Sequence, residues 1–169
     1  LGVVIGSLVV AIVGFLDDLD RWPSFKTKLL SQIVAVAILF ACGLVVDRVS
    51  LPWIGSVELG SWGYLVTLVW VVGLTNAFNF MVGLDGMAGT TAIVAAVFFA
   101  FIAYSLGSIF IFVVSYIVAA SVFGFLFYNF PKARIFMGDV GSQFLGFLFA
   151  ALAVLALKSG EFLISFWVM

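Results

Sequence analysis

Five of the eight acidic residues in this chain lie in three short polar segments. The segments are GFLDDLD (Gly14–Asp20), NAFNFMVGLDG (Asn76–Gly86) and NFPKARIFMGD (Asn129–Asp139), and the acids are Asp17, Asp18, Asp20, Asp85 and Asp139. Each segment falls between long apolar runs, and an Asp is costly within hydrocarbon. Carboxylates gathered at one membrane surface suit the holding of a divalent cation. Such an ion bridges phosphate oxygens and neutralises developing charge, which is the chemistry of phosphoryl transfer. Without it, the same acids would repel a pyrophosphate.

Asp17, Asp18 and Asp20 close an apolar run. The dipole at a helix C-terminus disfavours negative charge, so three acids there call for a compensating cation. Arg21, Lys26 and Lys28 supply part of it and a divalent ion could supply the rest, although a solvated loop at the membrane edge would also account for them. Asn76 and Asn79 are three apart and share a face at a helix end, where amides can hydrogen-bond phosphate or sugar hydroxyls. The turn Val82-Gly83-Leu84-Asp85-Gly86 that follows would let backbone N–H groups approach an anion, and a polar cap plus turn is the plainer account. Asp139 opens an apolar run, where it could simply cap a helix. Lys132 and Arg134 nearby suit phosphate recognition, and Phe136 offers an aromatic face to a base. Gly141, Ser142 and Gly146 would let helices pack closely around such a site.

These residues must be positioned by membrane helices. Hydrophobic residues make up 66% of the chain and mean hydropathy is +1.37, well beyond the apolar half of a soluble domain. With about 20 residues to a span, the runs Leu1–Leu16, Leu29–Val46, Gly63–Phe80, Gly89–Leu106, Ile109–Tyr128 and Val140–Leu157 predict six. Glu161–Met169 would open a seventh. The expected fold is thus an all-α, polytopic transmembrane helix bundle. It forms one integral-membrane domain over 1–169, read as a piece of a longer protein. Counting spans places all three acidic segments on one face. Arg21, Lys26, Lys28, Lys132 and Arg134 share it, against Arg48 and Lys158 opposite, so the positive-inside rule makes that face cytoplasmic. Asp47–Trp62 predicts a small hairpin at the other interface. With no His and a single Cys42, histidine metal sites, histidine triads and an internal disulfide framework are excluded within these residues. No basic tail suggests nucleic acid.

The order GFLDDLD, NAFNFMVGLDG, NFPKARIFMGDVGSQFLG resembles the polyprenyl-phosphate N-acetylhexosamine-1-phosphate transferases, along essentially the whole chain. The resemblance implies a bacterial inner-membrane enzyme with cytoplasmic active-site loops. Such an enzyme transfers a sugar phosphate from a UDP-N-acetylhexosamine to undecaprenyl phosphate, releasing UMP, with Mg2+ or Mn2+ as cofactor. A homodimer is a further expectation. Carried over residue by residue, Asp17 and Asp18 match the paired aspartates near the lipid phosphate and metal, and Asp139 matches the metal ligand. Asn79, Gly83 and Asp85 match nucleotide-site positions, with Asn76 a further substrate-binding candidate beside them, and Phe136 matches the aromatic beside the uracil. Asn129 matches an active-site Asn, and Lys28 with Gln32 a basic-residue/Gln pair. Val82 departs from the family pattern, which has Asp there, and the family's His-bearing loop is absent from the residues given. A weakened relative is one alternative to an active transferase. A transporter is another, but its carboxylates would sit at mid-depth, not at span ends. The phosphatidyltransferases that use CDP-alcohols are set aside because their Asp-Gly-x-x-Ala-Arg signature is missing.

Overall fold

The computed structural model describes residues 1–19, 25–51 and 55–158. In order, it contains α1 (Gly2–Asp18), α2 (Phe25–Ala41), β1 (Arg48–Leu51), β2 (Gly55–Glu58), α3 (Trp62–Met81), α4 (Met87–Leu106), α5 (Ile109–Asn129) and α6 (Gly138–Lys158). Asp20 and Arg21, and the expected seventh span from Glu161, lie outside the described residues. The helices follow the apolar runs because no proline interrupts them: none falls within a described helix, where a missing N–H would cost a helical bond. Helices α3, α4, α5 and α6 are each long and apolar enough to cross a membrane. At 17 residues each, α1 and α2 rise about 26 Å, slightly under a hydrocarbon core of about 30 Å. The molecule is a polytopic all-α membrane protein.

One boundary differs from expectation. The predicted second span runs to Val46, yet α2 stops at Ala41. Gly43 adopts φ +73°, its N–H donates to Phe40 O (2.8 Å), and Leu44 N–H donates to Leu39 O (2.9 Å). That is a Schellman closure, which needs a left-handed residue after the helix. Leu44, Val45 and Val46 stay buried beyond it, and Val46 N–H donates to Thr67 Oγ1 on α3 (2.9 Å). Hydropathy continues past the helix because burial does. The hairpin expected within 47–62 forms, with β1 and β2 antiparallel and Arg48 opposite Glu58.

Helix α6 is the axis of the bundle, with thirteen of its 21 residues buried. It packs against α1 on one side and α3 on the other. Phe149 of α6 stacks on Phe78 of α3 and Phe99 of α4, at ring separations of 5.7 and 6.1 Å. Helices α4 and α5 pack mainly on each other, and buried Ala88, Ala92, Ala96 and Ala103 line one side of α4. Small side chains at that spacing allow close approach without help from solvent exclusion, as lipid requires. Outward Phe98, Phe101, Ile117, Phe123 and Phe127 are exposed, the finish that a lipid solvent permits.

Candidate active site

The site begins where α1 crosses the start of α6. Gly14 lies against the α6 backbone, so that a Cβ there would sit 2.8 Å from Val140 Cα and 2.9 Å from Asp139 O. One turn later, α1 ends at Asp17 and Asp18. The Asp18 carboxylate accepts hydrogen bonds from the backbone N–H groups of Asp139 (2.9 Å) and Val140 (3.0 Å). It thereby satisfies two of the donors that a helix start leaves unpaired and sets negative charge against the positive end of α6. Gly138 makes the approach possible: its φ is +66°, and a Cβ would stand 2.5 Å from Asp18 Oδ2. The simple alternative that Asp139 caps α6 is therefore corrected. Asp18 caps it from another helix, and the Asp139 carboxylate is free to face the site.

That carboxylate meets Lys28. The Lys28 ammonium pairs with Asp17 Oδ2 at 2.6 Å and also with Asp139 Oδ2, tying α2 to both neighbours. Lys28 lies in the first turn of α2, ahead of the apolar stretch that starts at Leu29. Burial works against its charge, but hydrogen bonds to Asp139 and Asp17, and their attraction, outweigh burial and raise its pKa above the ordinary lysine value. The compensation expected for the α1 acids is thus supplied in two ways, by Lys28 for Asp17 and by the α6 N-terminus for Asp18. Lys26, also counted toward it, is exposed.

Asp17 Oδ1 is buried with no hydrogen-bond partner. An orphaned carboxylate oxygen, beside a second carboxylate already converging on a cationic group, fits a divalent ion. Among the described residues no three acidic side chains gather into a ligand set. Two carboxylates with substrate phosphates and water completing the shell is nonetheless the usual manner of Mg2+ binding. Asp17 and Asp139 are the residues that would hold it.

A line of amides leads into the same carboxylate. Asn76 Nδ2 donates to Gln32 Oε1 (2.8 Å) and to Val72 O (2.7 Å). Gln32 Nε2 donates to Gln143 Oε1 (3.3 Å), and Gln143 Nε2 to Asp139 Oδ2 (3.4 Å). Gln32 falls on the Lys28 side of α2 as the pair spacing implies, whereas Asn76 spends its N–H groups inside the protein rather than on a ligand. Gln143 was not singled out from sequence, although its place four residues after Asp139 on one helix face is a usable signal. Asn79, expected at the nucleotide, accepts the Ser142 hydroxyl at 2.7 Å.

The other two segments are clipped together at the same end. Asn129 is buried; its Oδ1 accepts from Gly86 N–H (3.0 Å) and its Nδ2 donates to Ile135 O (2.9 Å). Asp85 Oδ2 accepts from Ala133 N–H at 3.0 Å. Bonds from Asp18 to α6, Asn79 to α6 and Asn129 to Gly86 place all three acidic segments on one face, as span counting predicts. Asp17, Asp18 and Asp139 are brought together there. Asp85 instead braces the 130–137 loop, and Gly83 lies exposed in its turn. Phe136 is 71% exposed, with Lys132 and Arg134 exposed on the same loop, so an aromatic face and two cations are open to a ligand. Val82 ends α3 in helical conformation and is half-buried.

The model of the family described as "Glycosyl transferase family 4" matches residues 1–157. The chain is similar to the probable undecaprenyl-phosphate N-acetylglucosaminyl 1-phosphate transferase of Bacillus subtilis (strain 168), with 39% identity over 96% of this chain and 46% of that protein. It is also similar to two phospho-N-acetylmuramoyl-pentapeptide-transferases. The one from Leuconostoc citreum (strain KM20) is 33% identical over 93% of this chain and 51% of that protein. The one from Halalkalibacterium halodurans is 37% identical over 86% of this chain and 48% of that protein. The chain spans about half the length of the curated relatives it matches.

Proposed function

The chain belongs to glycosyl transferase family 4, and on that premise we propose that it forms part of a membrane enzyme transferring an N-acetylhexosamine 1-phosphate from a UDP-sugar to undecaprenyl phosphate, with UMP leaving. The observation that carries the reading is the convergence of Asp17, Lys28 and Asp139 at the ends of three helices, with one carboxylate oxygen buried and unpaired. In the reaction, an oxygen of the lipid phosphate attacks the β-phosphorus of the UDP-sugar. The bond from that phosphorus to the α–β bridging oxygen breaks, and UMP departs with the oxygen and its electron pair. A phosphate monoester has a second pKa near 6, so the acceptor is largely a dianion at neutral pH and needs little from a base.

A bound Mg2+ or Mn2+ would draw charge from the pyrophosphate oxygens, with Asp17 and Asp139 holding it. Asp18 keeps the start of α6, and so the Asp139 backbone, in place. Lys28 pairs with both carboxylates and keeps two like charges tolerable side by side. On the loop side, Phe136 offers its face to the uracil, while Lys132 and Arg134 attract the donor's phosphates. Asp85 and Asn129 hold that loop to the α3–α4 turn. The active face is cytoplasmic on this reading, since Lys26, Lys28, Lys132 and Arg134 lie on it.

The test uses the full-length protein in bilayers with undecaprenyl phosphate, Mg2+ and a panel of UDP-N-acetylhexosamines, reading UMP release. Release with one or more donors is expected, and its loss in Asp139→Asn. Failure of the wild-type protein to release UMP from any donor overturns the reading.

A further inference from the structure

The amides of Asn76, Gln32 and Gln143 all point one way. An ionised carboxylate can only accept, so Asp139 obliges Gln143 to turn its N–H outward and its carbonyl back toward Gln32. Gln32 must then do the same toward Asn76. Gln32 and Gln143 are wholly buried, where an amide left without partners is costly, so reversing one would strand its neighbours. Both side-chain donors that reach Asp139, Lys28 and Gln143, go to Oδ2. No hydrogen bond among the described residues reaches Oδ1.

We infer that Gln143 is a positioning residue: fed by Gln32 and Asn76, it holds Asp139 by Oδ2 so that Oδ1 is presented to the cation and phosphates of the site. The inference rests on the transferase reading above. Its physical advantage is that neutral amides supply a directed N–H deep in the bundle without the desolvation penalty of a second buried charge. The relay also spans α3, α2 and α6, so three elements share the orientation of one carboxylate.

Three full-length proteins in bilayers test it: wild type, Gln143→Met and the double variant Gln32→Met with Gln143→Met. Each is measured for Mn2+ affinity by direct binding, for kcat and KM of UMP release, and for Tm. Gln143→Met strands the Gln32 amide and should lower Tm. The double variant removes the stranded group, while Asn76 keeps its bond to Val72 O, so Tm should recover. A positioning role predicts that Mn2+ affinity and kcat fall about tenfold in both variants, the scale of a hydrogen bond to a charged group, with KM for the UDP-sugar little changed. Mn2+ affinity within about twofold of wild type in Gln143→Met, or returning with Tm in the double variant, overturns the inference; twofold is well inside the tenfold that one such bond is worth. If no protein, wild type included, releases UMP, the transferase reading has failed on its own, and the Mn2+ arm still decides the role of Gln143.

Discussion

Asp17 and Asp18 are adjacent, yet the structure gives them different work. Asp18 spends both oxygens on α6 backbone, whereas Asp17 keeps Oδ1 unpaired. Asp17→Asn should therefore cut UMP release by roughly 100-fold or more, on the scale of removing one preorganised charge-stabilising group. Asp18→Asn still has an oxygen to accept one N–H and should lose turnover by about tenfold, with stability lowered by about 1 kcal/mol as for a lost cap. Equal losses, or the reverse order, would refute the division. Val82 is a second residue to probe. If the half-buried Val82 replaces a ligand contact, Val82→Asp in the full-length protein should lower KM for the UDP-sugar by about ten- to a hundredfold, the worth of pairing a stranded donor. Worse kinetics with a lower Tm would show that Val82 belongs to helix packing. At this scale, Asp17, Asp139 and Lys28 were legible from sequence because charge in an apolar chain is conspicuous. The separate duty of Asp18 was not, because capping between helices depends on a crossing that no local pattern records. Gln143 was missed for a similar reason: a lone amide in an apolar helix has no meaning until its partners on α2 and α3 are known.

Elements set how closely these residues meet, and the crossing of α1 and α6 at Gly14 is the tightest constraint on the site. A methyl group there would press on the Asp139–Val140 backbone. Gly14→Ala should cost about 1–3 kcal/mol through overpacking and reduce UMP release, since Asp139 and Val140 are the residues displaced. Gly124 on α5 has no atom near its would-be Cβ, so Gly124→Ala should leave stability unchanged or raise it by up to about 1 kcal/mol. Thermal melts and turnover of both variants check this; a Gly14→Ala protein that melts and turns over like Gly124→Ala would disprove the tight crossing. The element pattern itself was readable, for each of the six predicted spans within the described residues overlaps its helix within a few residues except at the end of α2. There the hydropathy signal could not distinguish a helix from the irregular segment Leu44–Val46 buried against α3, although Gly43 marked the stop.

For the molecule as a whole, the three acidic segments share one end of the bundle and the β1–β2 hairpin takes the other. The bonds that join the ends of α1 and α3 to α6, and the end of α5 to the α3–α4 turn, make that sidedness a property of the fold, which counting spans could foresee. In a cysteine-free full-length protein, Lys26→Cys should be protected from a membrane-impermeant maleimide in intact cells and react after permeabilisation. Asp47→Cys should react in both conditions. The opposite pattern would put the acidic face outside and break the link to a cytoplasmic UDP-sugar.

The Lys28 ammonium lodged between Asp17 and Asp139 has a consequence for how the protein is made. The chain carries its own counter-ion, so newly inserted α1, α2 and α6 can close on one another before any metal arrives. On the proposed function, an ion held by Asp17 and Asp139 would load after the fold has matured, together with the donor's pyrophosphate. A chelator should then abolish UMP release while leaving Tm within about 2 °C, a change on the order of 1 kcal/mol. Restoring Mg2+ should restore turnover without refolding. A chelated protein that melts more than about 5 °C lower, by the same scale a loss above 1 kcal/mol, would mean that maturation waits for the metal after all.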